Sequence, residues 1–297
     1  MVPLIVVKED IMDKLNIVTH NGKFHADEVM ATAIIISFVG DGREYEVHRV
    51  DHQTPLEELK ELAGHDGYIC DIGKTYDEDS KLFDHHQFTK EEEIRSSAGM
   101  VLDYFKDVGS LYVSLKPIID IIDANDIGVR ISKSYELPAI ISCYNNKDIY
   151  SDEQYGCFME AVKVCMTIVK SYIIDEANKV MAKEMLSDSE SLEGIEKVLV
   201  SCEGYIPKWG DAIHDMPEMD GYEVLVWEDE EKGTWNASTI SKEKDVYGPR
   251  GVFLTHVEPL PEGMVFIHKG EFYAVSESLD AMSNYLHQHV FNKDGIV

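Results

Sequence analysis

The sequence predicts an α/β protein, with an N-terminal domain built on a parallel sheet with helices on both faces and a smaller α+β C-terminal domain. Three observations predict this. Apolar and β-branched runs alternate with helical patterns between residues 17 and 70, as in parallel sheets with right-handed crossovers. Ligand-type side chains collect where those runs end, the edge at which open α/β sheets place their ligands. From Lys197 onward the texture changes to short strands. At 297 residues the chain is long for one core, and two domains are expected. Their bounds are read as 1–187 and 188–297, with the polar stretch 187–191 as linker.

Ile17-Val18-Thr19 runs into His20, a Gly22 turn follows, and residues 26–38 have helical apolar spacing. His20, His25 and Asp27 therefore lie where a strand ends and a helix begins. Imidazole and carboxylate together suit zinc, manganese or iron better than calcium. The alternative is a helix N-terminus with acidic first-turn residues favoured by the dipole, plus two surface histidines. Asp41-Gly42 makes a turn, residues 45–50 alternate as a strand, and Pro55 opens a helix over 56–63. A further strand, 67–70, ends at Asp71, on the same sheet edge as His20.

Asp84-His85-His86 follows. Adjacent histidines in an extended segment point to opposite sides, so one is expected to meet an ion and the other a substrate. Asp84 is placed to orient a histidine through its second ring nitrogen. Ser96-Ser97-Ala98-Gly99 reads as a helix start with a hydroxyl cap; one serine caps, and Ser97 is the candidate for phosphate contact. Pro117 starts an Ile-rich stretch in which Asp123 and Asp126 stand three apart and share a helix face. Carboxylates there need a partner, either a metal pair or an arginine such as Arg49 or Arg130.

Charge narrows the function. There are 27 Lys and Arg against 56 Asp and Glu, a net charge of -29. This excludes an extended basic stripe that tracks many phosphates. A phosphorylated substrate is then small, short or met by metal ions. Five cysteines without a CxxC pair give no disulfide framework, and are expected to be reduced and mostly buried. The apolar run at 4–7 is too short for a secretory leader, and no window has the apolar length of a membrane span. A soluble, cytoplasmic protein is expected.

Taken in order, Thr19-His20-Asn21-Gly22-Lys23-Phe24-His25-Ala26-Asp27-Glu28, Asp71, Asp84-His85-His86, Ser96-Ser97-Ala98-Gly99 and Asp123-Ala124-Asn125-Asp126-Ile127-Gly128 resemble the successive motifs of the melanocyte-proliferating-gene family. That family is a branch of the DHH phosphoesterases. The resemblance is close over residues 16–130. It continues more loosely to His268-Lys269-Gly270-Glu271-Phe272, which is similar to the family's C-terminal His-x-Gly-x-Phe segment. It implies a DHH-like N-terminal domain in which His20, His25, Asp27, Asp71, His85 and Asp126 hold two divalent metal ions. Manganese is usual in the superfamily, with Mg2+ or another transition metal as alternatives. Asp71 would bridge the ions, and His86, with Asp84 behind it, would face the phosphate. Asp123 competes with Asp126 for the last ligand position, and the Asp-Ile-Gly setting favours Asp126.

Residues 156–187 read as one or two long helices. Strands are expected at 198–201, 222–227, 235–240 and 264–268, with a last amphipathic helix over 278–290. Lys208, Arg250, His256, His268 and Lys269 are the candidate substrate contacts of this part, the pair His268-Lys269 foremost. Trp209, Trp227 and Trp235 either stack on a base or pack in the core. The expected activity is two-metal phosphodiester hydrolysis on short single-stranded RNA or DNA as an exonuclease, with the strand end entering between the domains. The alternatives are a hydrolase of pyrophosphate or a dinucleotide, and a non-catalytic metal- or nucleotide-binding protein. A homo-oligomer is compatible with the sequence.

Overall fold

The computed structural model describes residues 14–40, 42–89, 95–244, 246 and 248–291. The apolar run at 4–7 and Asp41 lie outside them. The chain forms two compact units, one ending at Ile174 and the other beginning at Asp175.

The first unit opens with strand β1 (Leu15–His20), helix α1 (Ala26–Val39), β2 (Tyr45–Val50), α2 (Leu56–Ala63) and β3 (Tyr68–Cys70). Two short strands, β4 (Tyr76–Asp77) and β5 (Leu82–Phe83), complete a sheet of order β2-β1-β3-β5-β4. All neighbours are parallel except β4, which runs antiparallel at the edge. Successive strand residues face opposite sides. Ile17, Val47, Cys70 and Phe83 thus join the core with α1, while Val18, Ile69 and Leu82 pack with Leu59 and Ala63 of α2 on the other face. Helices cover both faces, as the near-continuous apolar strands require. Helix α1 is buried almost all round, from Ala26 to Ile36, because it is walled in by the sheet and by α3 (Ser97–Tyr104), α4 (Ser110–Asp126) and α5 (Leu137–Ser142). Pro117 does not start α4 but lies inside it, after a first stretch from Ser110.

Helix α6 (Glu153–Ser187) is a single helix. Phe158, Val162, Cys165 and Val169 pack into the first unit's core, and Ala182 and Leu186 into the second's. The second unit continues with β6 (Glu190–Leu192), β7 (Ile195–Val200), α7 (Trp209–Ala212), β8 (Val224–Asp229), β9 (Thr234–Thr239), β10 (Met264–Ile267), β11 (Tyr273–Ser276) and α8 (Leu279–Tyr285). The sheet order is β10-β11-β9-β8-β7-β6. Part of the stretch read as a linker is therefore strand β6, antiparallel to β7. Its polar side chains suit a sheet edge, where apolar ones would invite pairing with another chain. Strand β11 was not expected. Ser278 caps α8, its hydroxyl accepting from the Ala281 amide at 3.1 Å. All five cysteines are free, but only Cys70 and Cys165 are buried, while Cys143 and Cys202 are exposed; the last two sit outside the strands and helices that make the cores.

The start of β3 depends on Gly67. A Cβ there would stand 2.1 Å from the Ala63 carbonyl and 2.7 Å from that of Asn16, backbone atoms that cannot yield. Gly67→Ala is expected to destabilise the chain by about 2 kcal/mol or more. Urea unfolding of the two chains side by side measures the difference, and an unchanged midpoint contradicts the close approach.

Candidate metal centre

The strand order reverses between β1 and β3, since β2 lies on one side of β1 and β3 on the other. Open sheets have a crevice at such a point, outside the carboxyl ends of the strands. His20 is the last residue of β1, Asp71 follows β3, and Asp84 follows β5. Asp71 has φ 56°, the left-handed region that L-residues other than Asn and Asp rarely enter. The chain turns sharply there and aims the carboxylate at the rim instead of continuing the strand.

His20 is buried. Its Nδ1 lies 2.7 Å from the carbonyl of Asn21, so Nδ1 donates and Nε2 points inward. That Nε2 stands 3.1 Å from Asp71 Oδ2 and 3.2 Å from Glu28 Oε1. Burial alone would lower the imidazolium pKa, but the hydrogen bonds to Asp71 and Glu28 outweigh it and raise it to about 10. His85 behaves alike, with Nε2 3.0 Å from Asp126 Oδ2 and 3.4 Å from Asp71 Oδ1. Burial is again outweighed, here by Asp126 and Asp71, and its pKa rises to about 10.

The carboxylates repel one another. Asp27 is completely buried, and burial first, then the charges of Asp71 and Asp126, push its carboxyl well above the usual range. Both Asp27 oxygens, Asp71 Oδ1 and Asp126 Oδ2 make no well-aligned hydrogen bond. Buried carboxylate oxygens without donors are costly, and a divalent cation is the partner that satisfies several at once. Ligand atoms lie within 4.8 Å of one another in three overlapping groups: His20, His25, Glu28 and Asp71; Asp71, His85 and His86; and His25, Asp27 and Asp126. Imidazole nitrogens mixed with carboxylate oxygens fit manganese, iron or zinc.

The structure thus brings His20, His25, Asp27, Asp71, His85 and Asp126 to one rim and corrects several details. The adjacent histidines do not diverge, as β5 ends at Phe83 and the chain turns, with the Phe88 amide donating to the His85 carbonyl at 3.1 Å. Their ring centroids are 4.5 Å apart, and His86 Nδ1 also reaches Asp71 Oδ1 at 3.4 Å. Asp84 accepts from His86 Nδ1 at 2.7 Å and from the Lys74 amide at 2.6 Å. Burial would raise the Asp84 carboxyl, but these bonds from His86 and Lys74 outweigh it and lower it.

Asp123 is not at the rim. It accepts from Arg95 Nε at 2.8 Å and from the Ser96 amide and hydroxyl at 3.1 and 2.6 Å. Its partner is Arg95, not Arg49, which donates to the Gly22 carbonyl, nor Arg130, which pairs with Glu136. A Cβ on Gly99 would stand 2.5 Å from both Arg95 Nε and Asp123 Oδ1. The Ser-Ser-Ala-Gly motif therefore houses this ion pair. Neither serine caps α3 through its side chain. Ser97, expected at the phosphate, is fully buried and donates to the Phe83 carbonyl.

Two neighbours escaped sequence reasoning. Glu28 is buried, reaches His20 and accepts from the His25 amide at 2.9 Å; its position directly after Asp27 was the available signal. His52 stacks on His20 with centroids 4.2 Å apart, and nothing in its sequence setting marks it.

The C-terminal candidates lie in the second unit. Lys208 is paired with Asp175 at 2.5 Å. Arg250 donates to the carbonyls of Ser241 and Met219, and His256 is bonded to the Ile267 carbonyl and Glu258. All three are engaged within that unit. His268 accepts from the Gly270 amide through Nδ1 at 2.9 Å and packs on Phe272, and Lys269 is exposed beside it. Trp227 is buried, and Trp209 and Trp235 pack against buried clusters, so core packing is their place.

The family model MYG1_exonuc, described as an uncharacterised protein family (UPF0160), matches residues 16–288. The MYG1 protein of Chlamydia muridarum is 27% identical over 293 residues, which cover 94% of this chain and 97% of the relative. That of Chlamydia pneumoniae is 26% identical over 273 residues, covering 86% and 90%. The MYG1 protein of Saccharomyces cerevisiae is 24% identical over 326 residues, covering 90% and 93%. Among solved structures, exonuclease RecJ bound to manganese is 13% identical, with 91% of this chain and 88% of that one covered at a TM-score of 0.29, a superposition too loose to argue from.

Manganese is expected to raise the melting temperature and chelation to lower it, because a cation satisfies the buried oxygens. His20 and His85 must surrender their Nε2 protons to bind it, so affinity rises with pH up to about 10 and protons are released. Calorimetry in buffers of different ionisation enthalpy reads that release; a chain indifferent to Mn2+ contradicts a cation at this rim. Asp126→Asn should weaken binding more than about tenfold. Asp123→Asn should leave affinity unchanged while costing about 2 kcal/mol of stability, through the weakened bonds from Arg95 and Ser96, since Arg95 keeps Asp103 at 2.6 Å.

Proposed function

The chain belongs to the MYG1_exonuc family, and from that premise we propose that it is a metal-dependent phosphoester hydrolase that removes nucleotides from the ends of short single-stranded RNA or DNA. One observation carries the reading: ligand atoms of His20, His25, Asp27, Asp71, His85 and Asp126 gather in overlapping groups at a single rim, where both oxygens of the buried Asp27 have no donor. Two divalent cations held there, manganese foremost, would supply an activated water and positive charge for the phosphoryl oxygens.

The chain's own side chains do the rest. The bond from His20 Nδ1 to the Asn21 carbonyl holds the ring so that Nε2 is the ligand atom. His85 presents Nε2 between Asp71 and Asp126. Asp71, approached by His20, His85 and His86, would be the ligand shared by the ions; His25, Asp27 and Asp126 would complete the set, and Glu28 supports His20. His86 is half exposed, with a side-chain exposure of 49%. Asp84 fixes its Nδ1, so Nε2 is free to donate to a non-bridging phosphoryl oxygen. His268 and Lys269 are the proposed substrate contacts of the second unit. A chain of net charge -29 repels a polyanion, which favours short substrates and keeps pyrophosphate or a dinucleotide as the second reading.

Asp71→Asn tests the proposal, because Asn tolerates the left-handed backbone while removing the charge. With Mn2+ and end-labelled oligonucleotides, the parent chain is expected to release mononucleotides and the variant none, at unchanged circular dichroism. Equal turnover by both chains removes Asp71 from the reaction. Cleavage of pyrophosphate without cleavage of oligonucleotides moves the assignment to the second reading.

A further inference from the structure

Two side-chain amides distant from the rim in sequence face the loop that joins two of its histidines. Gln154, in the first turn of α6, is 2% exposed, and Asn145 lies in the connection between α5 and α6. Residues 21–24, which lead from His20 to His25, are neither helix nor strand. Their peptide groups have no ladder to join, and buried ones must be paired by other means.

Asn145 pairs with Phe24 as a neighbouring strand would. Its Oδ1 accepts from the Phe24 amide at 3.0 Å, and its Nδ2 donates to the Phe24 carbonyl at 2.9 Å. Gln154 Nε2 donates to the Gly22 carbonyl at 2.9 Å and to Asn145 Oδ1 at 2.7 Å, while its Oε1 accepts from the Asn146 amide at 2.8 Å. Arg49 donates to the same Gly22 carbonyl at 3.1 Å, with its guanidinium 4.6 Å from the ring centre of Phe158 in α6 and 5.4 Å from that of Phe24. Gly22, at φ 78°, lies so close to this connection that a Cβ would stand 3.3 Å from the Tyr150 ring.

Anchorage alone does not require so much. One donor satisfies a carbonyl, and burying a second amide beside it is costly. The extra bonds fix the peptide groups next to the ligands. The Asn21 amide donates to the Val50 carbonyl at 2.6 Å, and the Asn21 carbonyl accepts from His20 Nδ1 at 2.7 Å, so the set of the loop decides where His20 Nε2 points. At the other end, the Phe24 carbonyl shares a peptide plane with the His25 amide, which donates to Glu28 at 2.9 Å. We propose that Asn145 and Gln154 are positioning residues of the metal centre, which hold the 21–24 loop so that His20 and His25 stand in ligand geometry before a cation arrives. Ordering the loop then takes nothing from the binding free energy. The inference rests on the reading of this rim as a cation site.

The test uses the full chain, with Mn2+ calorimetry, the visible absorption of bound Co2+ as a readout of ligand geometry, and circular dichroism of the metal-free protein. Gln154→Met and Asn145→Ala are each expected to weaken Mn2+ binding at least about tenfold and to alter the Co2+ bands, at unchanged circular dichroism. Gln154→Met keeps the side-chain length and leaves the Gly22 carbonyl bonded to Arg49, so it carries the test if Asn145→Ala fails to fold. Asp123→Asn, which loosens the same unit away from this loop, is the control for a loss of stability alone. The proposal is overturned by unchanged Mn2+ affinity, by unchanged Co2+ bands, or by a loss of affinity no larger than that of Asp123→Asn. A parent chain that binds neither ion overturns the cation site itself, and the positioning role with it; a parent that binds beside variants that bind equally well overturns the positioning role alone.

Discussion

The repulsion among Asp27, Asp71 and Asp126 is the constraint to which the first unit is built. Taking carboxylates out of water and placing them side by side costs several kcal/mol, and here burial and mutual charge drive the Asp27 carboxyl well above its ordinary range. The fold answers with His20 and His85, held as imidazolium by the acids they touch. These histidines relieve the acids only in part, since both oxygens of the buried Asp27 keep no donor. Proton and cation thus compete for the same Nε2 positions, and a rim that is tolerable with protons is better served by metal.

That rim follows from topology more than from any one motif. With β1 between β2 and β3, the crossovers carry their helices to opposite faces, and the strand ends open onto a crevice. Helix α1 then supplies Asp27 and Glu28 from its first turn, buried because the helix is enclosed. Helix α4 carries Asp123 and Asp126, a turn apart and with different duties. The ion pair of Asp123 with Arg95 ties the start of α3 to α4, which sets Asp126 opposite His85.

Much of this was legible from residue order. β-branched runs bounded by glycine and proline marked the parallel strands, and His20 and Asp71 were visible as ligand types at strand ends. The turn after β5 was not legible, because Asp-His-His has no residue that demands one, and the alternation rule for strands gave the wrong side for a histidine. The Arg95–Asp123 pair spans 28 positions, and no local signal links its members. Glu28 reads as a solvent-facing first-turn acid unless the burial of α1 is known. The polar composition of β6 is shared by linkers and edge strands, so only pairing with β7 distinguishes them.

The left-handed backbone at Asp71 has an evolutionary consequence. A position that needs both a carboxylate and a positive φ is filtered twice, first by chemistry and then by conformation. Glutamate keeps the charge but enters that region less readily, while asparagine and glycine keep the turn but abandon the charge. Drift at residue 71 therefore has no neutral intermediate, whereas an acid on a helix can exchange Asp for Glu at little backbone cost. Across diverging lineages, residue 71 should be among the last of the rim to change.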